Sequence, residues 1–500
     1  MFISLIFFMF IRRNCKNGGH YIHEKKGYVY CYNSECKREA MCGHVEVPDE
    51  YAAECYLKYY EDFYRRYDNG TGIPSNGYVL LVDAADTGAC LGGAAAFASS
   101  CSMDPETDRP VIGYVNLCSS KMDITYPGVK NTLGVLIHEI GHALGFSAYN
   151  FPFMRYPSGK PRTPRGKDKM PLKKDKYGYY LPSTNTVKMI TRSWRSVAGT
   201  FTKTFGSMVT PAVLRAARAH FGCKTLNGAD LENQYQSPLG SHWEGRIFHG
   251  EILAGRIQIN YAVSNVTLAF FKDSGWYKVN YRKAMEWPYG KNLGCNFATK
   301  SCYEFAEIQR GKNQTIAPFC DNSKITCMGP YAYGMCNILI YDQPLPVEDR
   351  FFATDPYGSG QEGKYFGGED PFQDYCPTQV FVTSLGPEYP VNSFCTHTEN
   401  IEKSKKGTNY FFQTYGTKAI CIENRPDWVY EDSYQHSLPD DLLGTCHRYE
   451  CTRDKRLVVL FKDSRVTCPK NGGEHRFNVT DGTARLSGTI ICPKSTKFCK

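Results

Sequence analysis

Residues 133–147 read Leu-Gly-Val-Leu-Ile-His-Glu-Ile-Gly-His-Ala-Leu-Gly-Phe-Ser. Apolar side chains recur three and four apart at Leu133, Leu136, Ile137, Ile140 and Leu144, the period of an α-helix over residues 129–146. Gly145 stands where a helix stop is expected. His138 and His142 lie four residues apart, so their imidazoles leave one helical face about 6 Å apart along the axis. A pair so placed reaches one zinc ion at roughly 2.0–2.1 Å, and Glu139 is set to act as general base on the metal-activated water.

Before this helix, residues 77–118 alternate short apolar runs with turns: GYVLLVDA, GGAAAFASSC and VIGYVNLC. Strands leading into a metal-bearing helix predict an α+β catalytic domain, a twisted sheet with the active-site helix laid against it. Helical texture resumes at residues 210–221 and again at 263–271. Beyond residue 286 the chain is rich in Gly, Pro, Tyr and Asn and holds 13 of the 22 cysteines, which predicts a disulfide-rich, mostly β or irregular C-terminal domain. The expected organisation is therefore a signal-like or anchor-like front with a pro-region remnant at 1–45, an N-terminal catalytic subdomain at 46–148, a central subdomain at 149–285 that carries the basic insertion, and the Cys-rich domain at 286–500.

A catalytic zinc ordinarily keeps three protein ligands. The compact spacing that puts a third histidine six residues after the second fails here, because that position is Ala148. No glutamate occurs between His142 and Glu232, which argues against a glutamate ligand from the next helix. Three histidines remain: His220, His242 and His249. His220 lies in a helical, Ala/Arg-rich stretch and reads as a half-exposed surface residue. His242 sits in the turn-forming segment SPLGSHWEGR, able to bend a ligand in from a distance, and His249 reads as its solvent-facing neighbour.

Composition narrows the class. The 500 residues are 42% hydrophobic and 22% charged, which excludes a disordered or fibrous chain. Twenty-two cysteines with no C-x-x-C pair read as disulfides of an oxidising compartment rather than zinc fingers. N-x-[ST] sequons fit that compartment. Asn69, Asn313 and Asn478 are candidate glycosylation sites, whereas Asn265, near the metal floor, is expected to be too crowded. The secretory pathway is the expected address, with the protein outside the cell or at its surface. Residues 1–11 (MFISLIFFMFI) leave a signal, an anchor and a misassigned start open, and the polar C-terminus encodes no GPI-type tail or other clear membrane tether.

The net charge of +9 is concentrated in one place. Residues 154–176 carry nine Lys or Arg against two Asp, with four prolines and no periodicity. The stretch reads as a solvated insertion, or as a contact for an anionic surface, and the charge left elsewhere does not suggest a nucleic-acid partner. The run GSGQEG at residues 358–363 matches a dinucleotide-binding pattern in letters only, because no apolar strand leads into it.

The segments LIHEIGHALGFS, GSHWEGRIFHGEILAG and VTLAFFKDSGWYKVNY together resemble leishmanolysin, the surface zinc endopeptidase family of the metzincin clan, and most closely its animal leishmanolysin-like branch. VPDEYAAECY, GIPSNGYVLLV and MEWPYGKNLGCNF extend the resemblance to roughly residues 42–500. It implies a zincin fold, one Zn²⁺ per chain held by His138, His142 and His242, Glu139 as catalytic base, and protein or peptide substrates. It also implies an insertion ahead of the third histidine, which accounts for Ala148. Two departures stand out. The family's methionine floor under the metal corresponds to Leu268 in this reading, and no pro-segment cysteine is matched; Cys15 fits a disulfide better. An adhesive ectodomain with weakened catalysis is the competing expectation. Glu244 and Arg246 beside His242 read as surface polar neighbours. Tyr261 and Tyr277 read as packing residues rather than transition-state donors. Residues 92–99 are the expected edge strand for an extended substrate.

Overall fold

The computed structural model describes residues 8–24, 26–74, 76–125, 128–234, 240–256, 261–381, 393–397, 400–401, 409–432, 435–437 and 441–499. Helices and mixed sheets combine into an α+β architecture stapled by eleven disulfides that engage all 22 cysteines. Cys15 is bonded to Cys31. The chain divides into two compact units, one comprising residues 1–193 with 202–300, the other 194–201 with 301–500. Among the described residues no helix is long and apolar enough to cross a membrane.

Near its front the first unit has a four-stranded sheet of β1 (Tyr21–Ile22), β2 (Val29–Tyr32), β3 (Cys55–Tyr59) and β4 (Asp62–Tyr67). Its inner face packs Val29 on the Cys15–Cys31 and Cys36–Cys55 bridges, disulfides standing in for a larger core. The next sheet positions the site. In it β7 (Pro110–Leu117) lies between β5 (Val79–Asp83), parallel to it, and the edge strand β6 (Ala96–Met103), antiparallel to it. Nearly every side chain of β7 is buried, as expected of a strand covered on both faces. Residues 92–95 precede β6 and form no strand. The expected substrate edge therefore shifts to Ala96–Met103, where register breaks after Ser100 bend the strand.

Helix α1 (Gly128–Ala143) follows that sheet. Its buried residues are Gly134, Val135, His138, Glu139, Gly141, His142 and Ala143, while Leu133 is exposed and Leu136, Ile137, Ile140 and Leu144 are only half-buried. Periodicity thus found the helix, and the residues buried most deeply in it are those of the metal-facing side rather than the large apolar ones. Gly141 between the histidines explains that burial: a Cβ there would meet Leu253 Cδ2 at 2.7 Å, so the metal-facing side admits a neighbouring loop closely and is covered by it. Strands β8 (Val187–Ser196), β9 (Gly199–Met208) and β10 (Ala229–Asp230) form one sheet, of which residues 194–201 at the tip of the β8–β9 hairpin are assigned to the second unit, and the first unit continues through α2 (Pro211–Phe221) and α3 (Asn265–Asp273). Asp273 at the end of α3 accepts the Ala212 and Val213 N–H groups, capping α2 with a carboxylate.

The second unit contains an eight-stranded sheet of β11 (Ala419–Asn424), β12 (Val429–Glu431), β13 (Gln435–Ser437), β14 (Gly444–Cys451), β15 (Leu457–Phe461), β16 (Ser464–Thr467), β17 (Gly473–Asp481) and β18 (Ala484–Cys492). Strands run in the order β13-β12-β18-β11-β14-β15-β16, with β17 on the second side of β18. Phe412, Ile420, Trp428, Leu457, Phe461, Phe477 and Ile490 are among its core residues, closed by the Cys468–Cys492 and Cys451–Cys499 bridges.

The basic insertion departs from expectation. Rather than a featureless solvated loop it is built of hairpin turns, and Arg155, Arg162 and Arg165 face inward. Arg155 and Arg165 each reach Asp108 at 2.9 Å, and Arg162 donates to the Asp273 carbonyl at 3.0 Å.

Candidate metal centre

Helix α1 delivers its histidines one turn apart, and its ending prepares one of them. Gly145 adopts φ +108°, a left-handed conformation, with Gly145 N donating to the His142 carbonyl and Phe146 N to the Gly141 carbonyl. That is a Schellman ending, and glycine is the residue that tolerates it. Chain reversal there brings the Phe146 carbonyl to 2.7 Å from His142 Nδ1. His138 Nδ1 meets the Ile252 carbonyl at 2.6 Å. A carbonyl only accepts, so both Nδ1 atoms carry the proton and both Nε2 atoms present a lone pair.

The third histidine arrives from the loop after β10. Backbone bonds from Trp243 N to Leu253 O and from Glu232 N to His242 O hold that loop in register. Trp243 is fully buried, donates from Nε1 to Thr267 Oγ1 at 2.9 Å, and packs edge-on against Phe146 at 4.9 Å. His242 Nδ1 donates to Glu232 Oε2 at 2.8 Å, while Glu232 Oε1 accepts Ser241 N at 2.9 Å. The carboxylate is 2% exposed and lies where a Cβ on Gly240 would come within 1.8 Å of its Cγ.

All three Nε2 atoms converge. His138 and His142 are 2.9 Å apart, His142 and His242 3.1 Å, and His138 and His242 3.2 Å. With every Nδ1 committed to an acceptor, the three Nε2 atoms do not hydrogen-bond one another, and three lone pairs pointing at one spot suit a cation between them. Three nitrogens bound to one tetrahedral zinc ion at about 2.0–2.1 Å stand about 3.3–3.4 Å apart, so the set fits zinc within a few tenths of an ångström. His138, His142 and His242 form a group that can hold a metal ion. Burial lowers the His138 pKa well below its usual range, and that of His142 to about 3, with the neighbouring imidazoles adding to both shifts. Burial alone pushes the Glu139 carboxyl up to about 8.

The other candidates fall elsewhere. His220 is half-buried, stacks on Trp287 at 3.9 Å and donates from Nε2 to the Tyr289 carbonyl. His249 is buried rather than solvent-facing, lies against Tyr289 at 5.2 Å, and has its pKa lowered to about 4, chiefly by burial. Glu244 and Arg246 are also buried, contrary to their reading as surface neighbours. Glu244 caps the turn beneath the loop by accepting Arg246 N, and Arg246 donates to the Phe297 carbonyl. Tyr277 donates to the Leu144 carbonyl and Tyr78 to the Ala143 carbonyl, so both brace the end of α1; Tyr261 is half-buried. Leu268 is half-buried on α3, and the leucine that packs on α1 between the two histidines is Leu253. Of the sequons, Asn69, Asn313 and Asn478 are exposed. So is Asn265, because the first residue of α3 points away from that helix's buried side, and the crowding expected there does not arise.

Two residues escaped the sequence reading. Glu232 stands ten residues before His242 with no motif around it, and Leu253 is one more apolar residue in an apolar stretch. Only the meeting of loop and helix marks them.

A helix-borne histidine pair completed by a distant histidine, beside a buried glutamate, defines the metal centre of a zinc-hydrolase class. The family model described as Leishmanolysin matches residues 67–500. Leishmanolysin-like peptidases of Caenorhabditis briggsae and Drosophila melanogaster are each 31% identical over 98% of this chain, covering 76% and 73% of their own lengths. Leishmanolysin of Leishmania donovani is 24% identical over 92% of this chain and 64% of its own. The chain belongs to the leishmanolysin family, and is a zinc-dependent metalloendopeptidase. Its disulfides fit a protein outside the cell or at its surface.

Proposed function

We propose that this chain cleaves proteins of the extracellular space or cell surface, with His138, His142 and His242 holding one zinc ion and Glu139 serving as general base. The convergence of three Nε2 lone pairs within 3.2 Å carries the reading. A bound zinc ion supplies Lewis acidity, polarising a carbonyl and bringing the ionisation of water toward neutral pH. Glu139, buried between the two helical ligands, takes a proton from the attacking water and returns it to the leaving amine nitrogen. The Ile252 and Phe146 carbonyls and the Glu232 carboxylate keep the imidazoles in the tautomer that leaves Nε2 free. Leu253 is the apolar floor of the site in place of Leu268. An extended substrate adds to the open side of β6, which is paired among the described residues only with β7. The arrangement is that of a metzincin catalytic domain.

The test is cleavage of casein by the purified chain, with and without a chelator, beside a Glu139→Gln variant. Metal analysis should find zinc retained in Glu139→Gln while turnover drops by roughly 10²–10⁴-fold. Undiminished cleavage by that variant would remove the base from the mechanism.

A further inference from the structure

Residues 154–181 fold as three consecutive hairpin turns built on one plan. In the first, Tyr156 N donates to the Lys160 carbonyl and Arg162 N to that of Met154. In the second the corresponding bonds run from Gly166 to Met170 and from Leu172 to Pro164, and in the third from Asp175 to Tyr179 and from Leu181 to Lys173. Bridges Arg155–Pro161, Arg165–Pro171 and Lys174–Tyr180 mark the same position in each turn. The insertion is thus a short tandem array, anchored to the catalytic unit through Asp108 and the Asp273 carbonyl.

Folding sorts the charges by residue type. All three arginines turn inward. Both acids are committed to turn geometry, Asp168 accepting Met170 N and Asp175 accepting the N–H groups of Tyr177 and Tyr179. All six lysines, Lys160, Lys167, Lys169, Lys173, Lys174 and Lys176, stay exposed. Lys169 approaches an exposed Glu106 at 3.7 Å, an ion pair of little weight. Beside these ammonium groups Leu172, Tyr177 and Tyr179 are 65%, 52% and 50% exposed, and Lys176 lies over the Tyr177 ring at 4.8 Å.

The hairpins thus expose a leucine and two tyrosines, one of them packed on Tyr149 at 4.9 Å, together with six lysines. A sulfated polysaccharide would use the ammonium groups and leave the leucine idle. An anionic bilayer uses both: each lysine is drawn to the headgroups, tyrosine favours the interfacial layer, and a leucine side chain enters the acyl boundary. We propose that the lysine-bearing hairpins dock the catalytic unit on an anionic lipid surface. Docking needs no catalysis and stands apart from the metal-site reading.

The test is sedimentation of the full chain with vesicles of phosphatidylcholine alone or mixed with phosphatidylserine, at rising salt. Binding is expected only to the phosphatidylserine vesicles and should weaken as salt screens the lysines. Replacing all six lysines by serine should reduce bound protein more than tenfold, and Leu172→Ser alone several-fold, with casein cleavage in solution and the melting curve unchanged in both. Equal binding to both vesicle types would overturn the proposal, as would undiminished binding by the six-lysine variant. Retention on heparin lost with the lysines, without vesicle binding by the parent, would overturn it in favour of a sulfated polysaccharide.

Discussion

Each imidazole of the metal centre is oriented by a different partner: a loop carbonyl for His138, the reversed chain end for His142, and a carboxylate for His242. The first two come with the backbone, and only the third depends on a side chain. Glu232 is therefore the position where one substitution separates orientation of a ligand from its presence. Glu232→Ala should weaken zinc binding by roughly 10–100-fold in a competition titration with a chromophoric chelator, with His242 intact. Glu232→Asp should recover part of that affinity, an outcome that a purely structural role would not give. Gly240→Ala should act in the same direction, because its Cβ would collide with the Glu232 side chain. Zinc affinity unchanged in both Glu232→Ala and Gly240→Ala would show that the carboxylate does not set the ring.

At the scale of elements, the site is a helix end pressed against a loop. His138, Glu139 and His142 were legible because helical spacing alone puts them on one turn, and Gly145 was legible as a stop. The consequence of that stop was not: the left-handed turn turns the Phe146 carbonyl onto His142, tying helix termination to ligand geometry. Gly145→Ala should destabilise the chain by about 1 kcal/mol or more, from backbone strain and from contact with Trp276, and should lower zinc affinity as well. Thermal melting of the apo and zinc-loaded forms checks both effects. Leu253 shows the reverse case. Nothing in the sequence set it apart from Leu268, because which leucine floors the metal depends on how the 240–254 loop folds over Gly141. Leu253→Met, close to volume-conserving, should cost less than about 1.5 kcal/mol and preserve cleavage, whereas Leu253→Ala should cost about 2–5 kcal/mol and reduce both.

For the molecule as a whole, disulfides and buried histidines set the conditions under which it stays folded. Opening Cys468–Cys492 by a double Cys→Ser substitution should cost about 2–5 kcal/mol, read as a lower unfolding midpoint of the second unit. His447, fully buried against Phe461 at 4.1 Å, has its pKa lowered to about 3 by that burial. Its unfolded value is near 6.5, so as pH falls below about 6.5 the unfolded chain takes up a proton that the folded chain refuses. The stability this residue contributes at neutral pH is lost progressively down to about pH 3. Melting temperatures measured from pH 7 to pH 4 should fall less steeply in His447→Gln than in the parent, and parallel curves would assign the acid sensitivity to other groups.

By itself the sequence determined the chemistry and the class of fold: a helix with two histidines and a glutamate on one turn, strands before it, and a cysteine count that implies oxidation. Those features are written in spacing and composition, which local geometry translates directly. The family resemblance already named His242; tertiary structure brought it to the helical pair, and it alone decided which carboxylate and carbonyls hold the rings, which leucine packs on the helix between the histidines, and that nine like-signed residues divide into three inward arginines and six outward lysines. Each of these depends on what meets across tens or a hundred residues of chain, and burial, not sequence distance, selects the partner.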